Sequence, residues 1–127
     1  MKKLFPLLMM VALSITATSC YYDELPAVPL PENVSYQKNI QPLFNKNCIG
    51  CHKPGATAPD LTSANSYLSL VTVVNGEAFV IPSDAKNSIL YEVMTGNGAL
   101  VMPANGALSA SKQALVEKWI NDGALNN

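Results

Sequence analysis

Apolar positions along this chain form a short N-terminal block, a proline-punctuated gap, and then four stretches with helical spacing. The first of these, 36–47, carries Ile40, Leu43 and Phe44 at i, i+3 and i+4. Pro42 lacks an N–H and breaks a helix that runs straight through it. The spacing therefore predicts a short first turn, then a helix with Pro42 in its opening turn, delivering Cys48 from its C-terminal end. Gly50, Pro54 and Gly55 stop helical structure just beyond. Leu61, Tyr67, Leu68 and Leu70 predict a short helix beginning near Ser63. After it, Val71–Val74 and Ala78–Ile81 flank Asn75-Gly76-Glu77, and Asn-Gly between β-branched runs is the strongest short-range hairpin signal. Asn87-Ser88 is suited to capping a helix over 88–95, with Ile89, Leu90, Val93 and Met94 on its buried side and Gly96 and Gly98 ending it. Ser109 caps the last helix, whose stripe is Leu115, Val116, Trp119 and Ile120, and Gly123 stands where a C-cap glycine belongs. There are no internal repeats. The expected fold is all-α with a short β-hairpin insertion.

The N-terminal block reads differently. Lys2 and Lys3 precede a mostly apolar run, Leu4 to Ile15, which is too short to span a bilayer. Small residues Ala17-Thr18-Ser19 then lead to Cys20. This is the pattern of a secretory signal peptide over 1–19. Small residues running into a cysteine also resemble the lipobox of bacterial lipoproteins, although Ala17 stands where leucine is commonest. Residues 20–34 then hold Pro26, Pro29 and Pro31 close together, which favours an extended tether over a helix. At roughly 3 Å per residue that tether reaches about 40 Å. Asp23 and Glu24 resemble the surface-export signal of Bacteroidota lipoproteins, and a solvated linker explains them equally well. The folded domain is expected over 35–127.

Charge excludes one class of partner. Without Lys2 and Lys3, six lysines face nine carboxylates and there is no arginine. No basic stripe suited to nucleic acid is present.

The chemistry is concentrated at Cys48-Ile49-Gly50-Cys51-His52, which contains the only histidine. C-x-x-C-H is the attachment signature of c-type haem. Residues three and four apart on a helical turn share a face. Cys48 and Cys51 can thus bond two vinyl groups of one macrocycle while His52 ligates its iron. A thioredoxin-type redox pair belongs beside a βαβ pattern, which is missing. A structural zinc site needs four nitrogen or sulfur ligands, and beyond these three residues only Cys20 remains. The odd third cysteine is accounted for if Cys20 carries lipid. Without a second histidine, the expected sixth ligand is a methionine, which raises the reduction potential. Met94 falls in an apolar helical stripe, where a core role is the default. Met102 falls in a loop stiffened by Pro103 and is the favoured ligand. An open or lysine-ligated iron is the other alternative.

From Ile40 onward the chain resembles the small cytochrome c domains of exported Bacteroidota and Planctomycetota proteins. The resemblance rests on Ile40-Gln41-Pro42-Leu43, the haem motif, Pro82-Ser83-Asp84 with Ser88-Ile89-Leu90-Tyr91, Met102-Pro103, Leu108-Ser109 and Trp119-Ile120-Asn121-Asp122-Gly123-Ala124. It implies a cytochrome c-like helical fold around one covalently bound haem c, held by Cys48, Cys51, His52 and Met102. In many cytochromes c a proline carbonyl after the motif accepts the imidazole N–H, which orients the ligand. Pro59 is the candidate, ahead of Pro54.

Three functional readings follow. The leading one is one-electron transfer between extracytoplasmic redox partners, by a protein lipid-anchored at Cys20 on the periplasmic side or at the cell surface. It includes service as an electron-transfer subunit of a larger oxidoreductase. The alternative is a haem-based ligand or redox sensor with a displaceable sixth ligand. Autonomous catalysis is disfavoured, because the only histidine is committed to haem and no hydrolytic triad can be built without it.

Overall fold

The computed structural model describes residues 29–127 apart from Ala99. The expected signal peptide, the lipid-bearing Cys20 and the first part of the tether lie outside the described residues. A π-helical segment, Tyr36–Ile40, runs directly into helix α1, Gln41–Asn47, with Pro42 in its first turn as its missing N–H requires. Helix α2 spans Ser66–Val71, α3 spans Ile89–Thr95 and α4 spans Ala110–Asn121. The described domain is all-α. None of these helices is long and apolar enough to cross a membrane.

The core lies where α4 packs against both the N-terminal helical segment and α3. Ile40, Phe44, Leu70, Val80, Val116, Trp119 and Ile120 are among its most deeply buried members. Tyr36 anchors an aromatic cluster, with ring centroids 5.1 Å from Trp119, 5.3 Å from Tyr67 and 6.4 Å from Phe44. Edge-on and tilted rings at such distances add to the area they bury. The polar ends are also satisfied. Trp119 Nε1–H donates to the Leu125 carbonyl at 3.0 Å, and Tyr67 O–H donates to the Ala124 carbonyl at 3.0 Å. Gly123, at φ 102°, is the residue that turns the chain back after α4.

The chain closes on itself. Asn127 accepts from the Gln37 N–H at 3.0 Å and from the Ser35 hydroxyl at 2.8 Å through its backbone oxygen. Its side-chain oxygen accepts from the Tyr36 N–H at 2.8 Å.

Three expectations are corrected. The β-hairpin reduces to a single bridge between Val74 and Glu77. The turn chemistry is right, since Asn75 (φ 55°) and Gly76 (φ 89°) both adopt the left-handed backbone that a tight hairpin turn demands. No ladder propagates from it. Val71 is consumed by α2, and the Val80 N–H is given to the Leu70 carbonyl while its side chain enters the core. The second helix starts at Ser66 rather than near Ser63, and Leu68 on it is exposed. Ser88 and Ser109 occupy N-cap positions, but neither side chain bonds an orphan amide of its helix. Ser88 Oγ instead accepts from the Ile81 N–H and donates to the Asp84 carbonyl, fastening the loop that precedes the helix.

Candidate functional site

Helix α1 ends because Cys48 leaves helical geometry, yet the chain makes one more turn. Both the Cys51 and the His52 amides donate to the Cys48 carbonyl, at 3.1 and 3.0 Å. Cys48, Cys51 and His52 are thereby brought together on one tight turn. Cys48 and Cys51 are not joined to each other; both are free thiols. Cys48 is half-buried and packs with Ile49 on the edge of the core, whereas Cys51 is exposed. Burial pushes the Cys48 thiol up to about 11.

The following loop folds back over this turn. Thr57 N–H donates to the Cys51 carbonyl at 3.2 Å and Leu61 N–H to the His52 carbonyl at 3.0 Å. His52 Nδ1 lies 3.2 Å from the Pro59 carbonyl. A carbonyl can only accept, so this contact requires the proton on Nδ1, which in the neutral ring puts the lone pair on Nε2. Pro59, not Pro54, holds the imidazole. Asp60 fixes the turn just behind. Its carboxylate accepts from the Thr62 N–H, the Thr62 hydroxyl and Asn65 Nδ2. Those hydrogen bonds, led by the Thr62 hydroxyl, hold its carboxyl below the ordinary range. A mostly apolar cleft of about 420 Å³ borders Pro59 and is lined also by Asp60, Ser69, Thr72, Phe79 and Ile89. None of Cys48, Cys51, His52 or Met102 lines it.

Met102 sits on the loop between α3 and α4. Its amide donates to the Val93 carbonyl at 2.7 Å, and Gln113 Nε2 closes the loop by donating to the Leu108 and Met94 carbonyls. The Met102 side chain is half-buried. Met94 is buried in the core, which accounts for it fully. No hydrogen bond joins the Met102 loop to the Cys48–Leu61 segment among the described residues. Lys53 is exposed, and Tyr91 is half-buried with its phenol raised by burial and then by Glu117.

The donor set fits a covalently attached haem: two unlinked thiols three residues apart, followed by an imidazole with Nδ1 engaged and Nε2 available. It is not a chelating cluster, for no three His, Cys, Asp or Glu side chains among the described residues are grouped to hold a bare metal ion.

Sequence reasoning missed a buried polar chain beneath this turn. Tyr36 O–H donates to Ser66 Oγ at 2.7 Å, Ser66 donates to Gln41 Oε1, and Gln41 Nε2 donates to the Leu61 carbonyl at 3.1 Å. The available signal was Gln41 itself, a polar residue set between Ile40 and the Leu43-Phe44 pair on the buried side of α1.

Comparison of the chain with protein-family profiles, with curated protein sequences and with solved structures returned no match. The functional reading therefore stands on these residues and their geometry.

Proposed function

We propose that this chain is a c-type monohaem cytochrome that carries single electrons between extracytoplasmic redox proteins. The observation that carries the reading is the contact of His52 Nδ1 with the Pro59 carbonyl, on the same turn that presents two free thiols. An imidazole held in this tautomer offers Nε2 to iron, and the hydrogen bond to the other nitrogen raises its basicity and fixes its orientation. Cys48 and Cys51 would hold a haem through thioether bonds, and Met102 would supply the second protein ligand to its iron. Haem bound there supplies a reversible one-electron couple.

The remaining features support a carrier. Cys51 is exposed while Cys48 borders the core, so a group bonded to both would meet solvent on the Cys51 side. Redox partners dock there over a small, transient interface. The six lysines of the domain and tether are too few for a basic docking ring, so local patches steer the encounter. Lipid on Cys20 would hold the domain at a membrane.

The test is an absorption spectrum of the full chain produced with haem c maturation machinery, oxidised and reduced, with and without carbon monoxide. A low-spin c-type spectrum indifferent to carbon monoxide is expected. A high-spin spectrum that shifts with carbon monoxide would indicate an open iron site and favour a sensor. A chain without covalent haem would overturn the proposal.

A further inference from the structure

Gln41 is nearly inaccessible, at 4% exposure, and every hydrogen-bonding atom of its side chain is used. Its Oε1 accepts from the Ser66 hydroxyl, and its Nε2 donates to the Leu61 carbonyl at 3.1 Å and to Asn45 Oδ1 at 2.9 Å. The direction of the chain is fixed from its far end. The Tyr36 O–H donates to Ser66, so the Ser66 proton is free to go to Gln41 and the Gln41 amide cannot flip. A flipped amide would set Oε1 against the Leu61 carbonyl, acceptor against acceptor. Burial pushes the Tyr36 phenol up to about 12, so its donor proton stays in place at any physiological pH.

Leu61 is where this chain reaches the candidate site. Its carbonyl is held by Gln41, and its N–H is given to the His52 carbonyl at 3.0 Å. Two residues earlier, the Pro59 carbonyl meets His52 Nδ1. Between them, Asp60 is locked by Thr62 and Asn65. The strut 59–61 thus touches His52 twice, at its backbone and at its ring. It is tied to the core by the buried Leu61 side chain, and its Leu61 carbonyl is held there by the side chain of Gln41.

Resting on the haem reading given above, we infer that Gln41 is a positioning residue for His52. Acting through Leu61, it holds the Pro59 carbonyl against Nδ1–H and so sets the imidazole tautomer and the donor strength of Nε2. Ser66 and Tyr36 act behind it by orienting its amide. Loss of the Gln41 amide leaves the buried Leu61 carbonyl unpaired, a penalty the strut relieves by moving toward water. The imidazole then loses its acceptor. A ring less able to share its Nδ1 proton is a poorer donor at Nε2, which favours the reduced metal.

The test uses the full chain, in haem-free and haem-loaded forms, with three substitutions. Gln41→Met keeps the volume and removes the amide. Ser66→Ala removes the orienting donor and, with it, the acceptor of the Tyr36 O–H. Asn45→Ala removes the other partner of Nε2 and spares the strut. Nitrogen NMR of the His52 ring in the haem-free chain reads the tautomer directly. The expected result is a dominant Nδ1–H form in the parent and a several-fold rise of the Nε2–H form in Gln41→Met. A smaller rise is expected in Ser66→Ala and none in Asn45→Ala. In the haem-loaded chain, Gln41→Met lowers the oxidised-to-reduced ratio at a fixed ambient potential several-fold. Ser66→Ala stands in should Gln41→Met fail to fold. Variants that lose thermal stability but keep the parent tautomer and ratio would overturn the inference, leaving the network with a purely structural role. Absence of covalent haem from the parent would instead overturn the function proposed above, and the tautomer measurement would still decide this one.

Discussion

The amide of Met102 donates to the carbonyl of Val93 at 2.7 Å, so the loop carrying the candidate methionine is pinned to the last turn of α3. Met94, one residue beyond Val93 on that helix, points into the core at 3% exposure. The two methionines of the described domain therefore stand in different surroundings and can be tested separately. Met102→Ala is expected to keep covalent haem, lower the reduction potential and admit carbon monoxide to the iron. Met94→Ala should leave the spectrum unchanged and cost about 2–5 kcal/mol of unfolding free energy. Redox titration, carbon monoxide difference spectra and denaturant unfolding separate the outcomes, and the reverse pattern would transfer the ligand role to Met94.

The two motif cysteines should also differ in the haem-free chain. Cys51 is exposed, while Cys48 is half-buried with its thiol raised to about 11. Only the thiolate attacks a thiol reagent. In the haem-free chain at pH 8, labelling of Cys48 should be at least about tenfold slower than labelling of Cys51. Peptide mapping after timed quenching reads the two rates. In the maturation system, Cys48→Ala or Cys51→Ala should weaken or abolish covalent attachment.

Alkaline stability carries its own signature. Burial raises both Cys48, from an ordinary value of 9.0 to about 11, and Tyr36, from 10.0 to about 12. The folded state holds these protons more tightly than the unfolded chain does. Their contribution is complete below pH 9 and is lost as the pH rises, from 9 to 11 for the thiol and from 10 to 12 for the phenol. A thioether has no proton to lose. Urea midpoints of the haem-free chain should therefore begin to fall near pH 9, and those of a Cys48→Ala chain about one unit higher. Coincident profiles would show that Cys48 contributes nothing.

The Asn75-Gly76 turn, outside the motif, offers a backbone test. Gly76, at φ 89°, has open space where a side chain would stand, so any cost of Gly76→Ala comes from conformation alone. A loss of about 1 kcal/mol in unfolding free energy is expected.

Local signals in the sequence carried much of this fold. The position of Pro42, the stripe through Val116, Trp119 and Ile120, and the glycine at 123 each report a constraint that acts within a few residues. The C-x-x-C-H turn and its Pro59 partner were legible for the same reason, since Pro59 follows His52 by only seven positions. What was lost depends on distant choices. Asn75-Gly76 specifies a turn, but whether strands grow from it was decided by Val80, which spends its N–H on Leu70 and its side chain on the core. Ser88 has a cap residue's identity, yet the loop 81–84 claims its hydroxyl. Gln41 meets Ser66 across 25 residues of chain, and no periodicity encodes that meeting.

The bonds from Asn127 to Ser35, Tyr36 and Gln37 make the described domain nearly a ring in topology. A few linking residues between 127 and 35 would close it, and the exposed Asn75-Gly76 turn is a natural place to reopen it. In such a circular permutant Met102 would be synthesised before Cys48 instead of after it. The same three-dimensional site would then be assembled in the opposite order, and, on the haem reading proposed above, the yield of attached haem would report whether attachment reads the folded turn or the order in which the chain emerges.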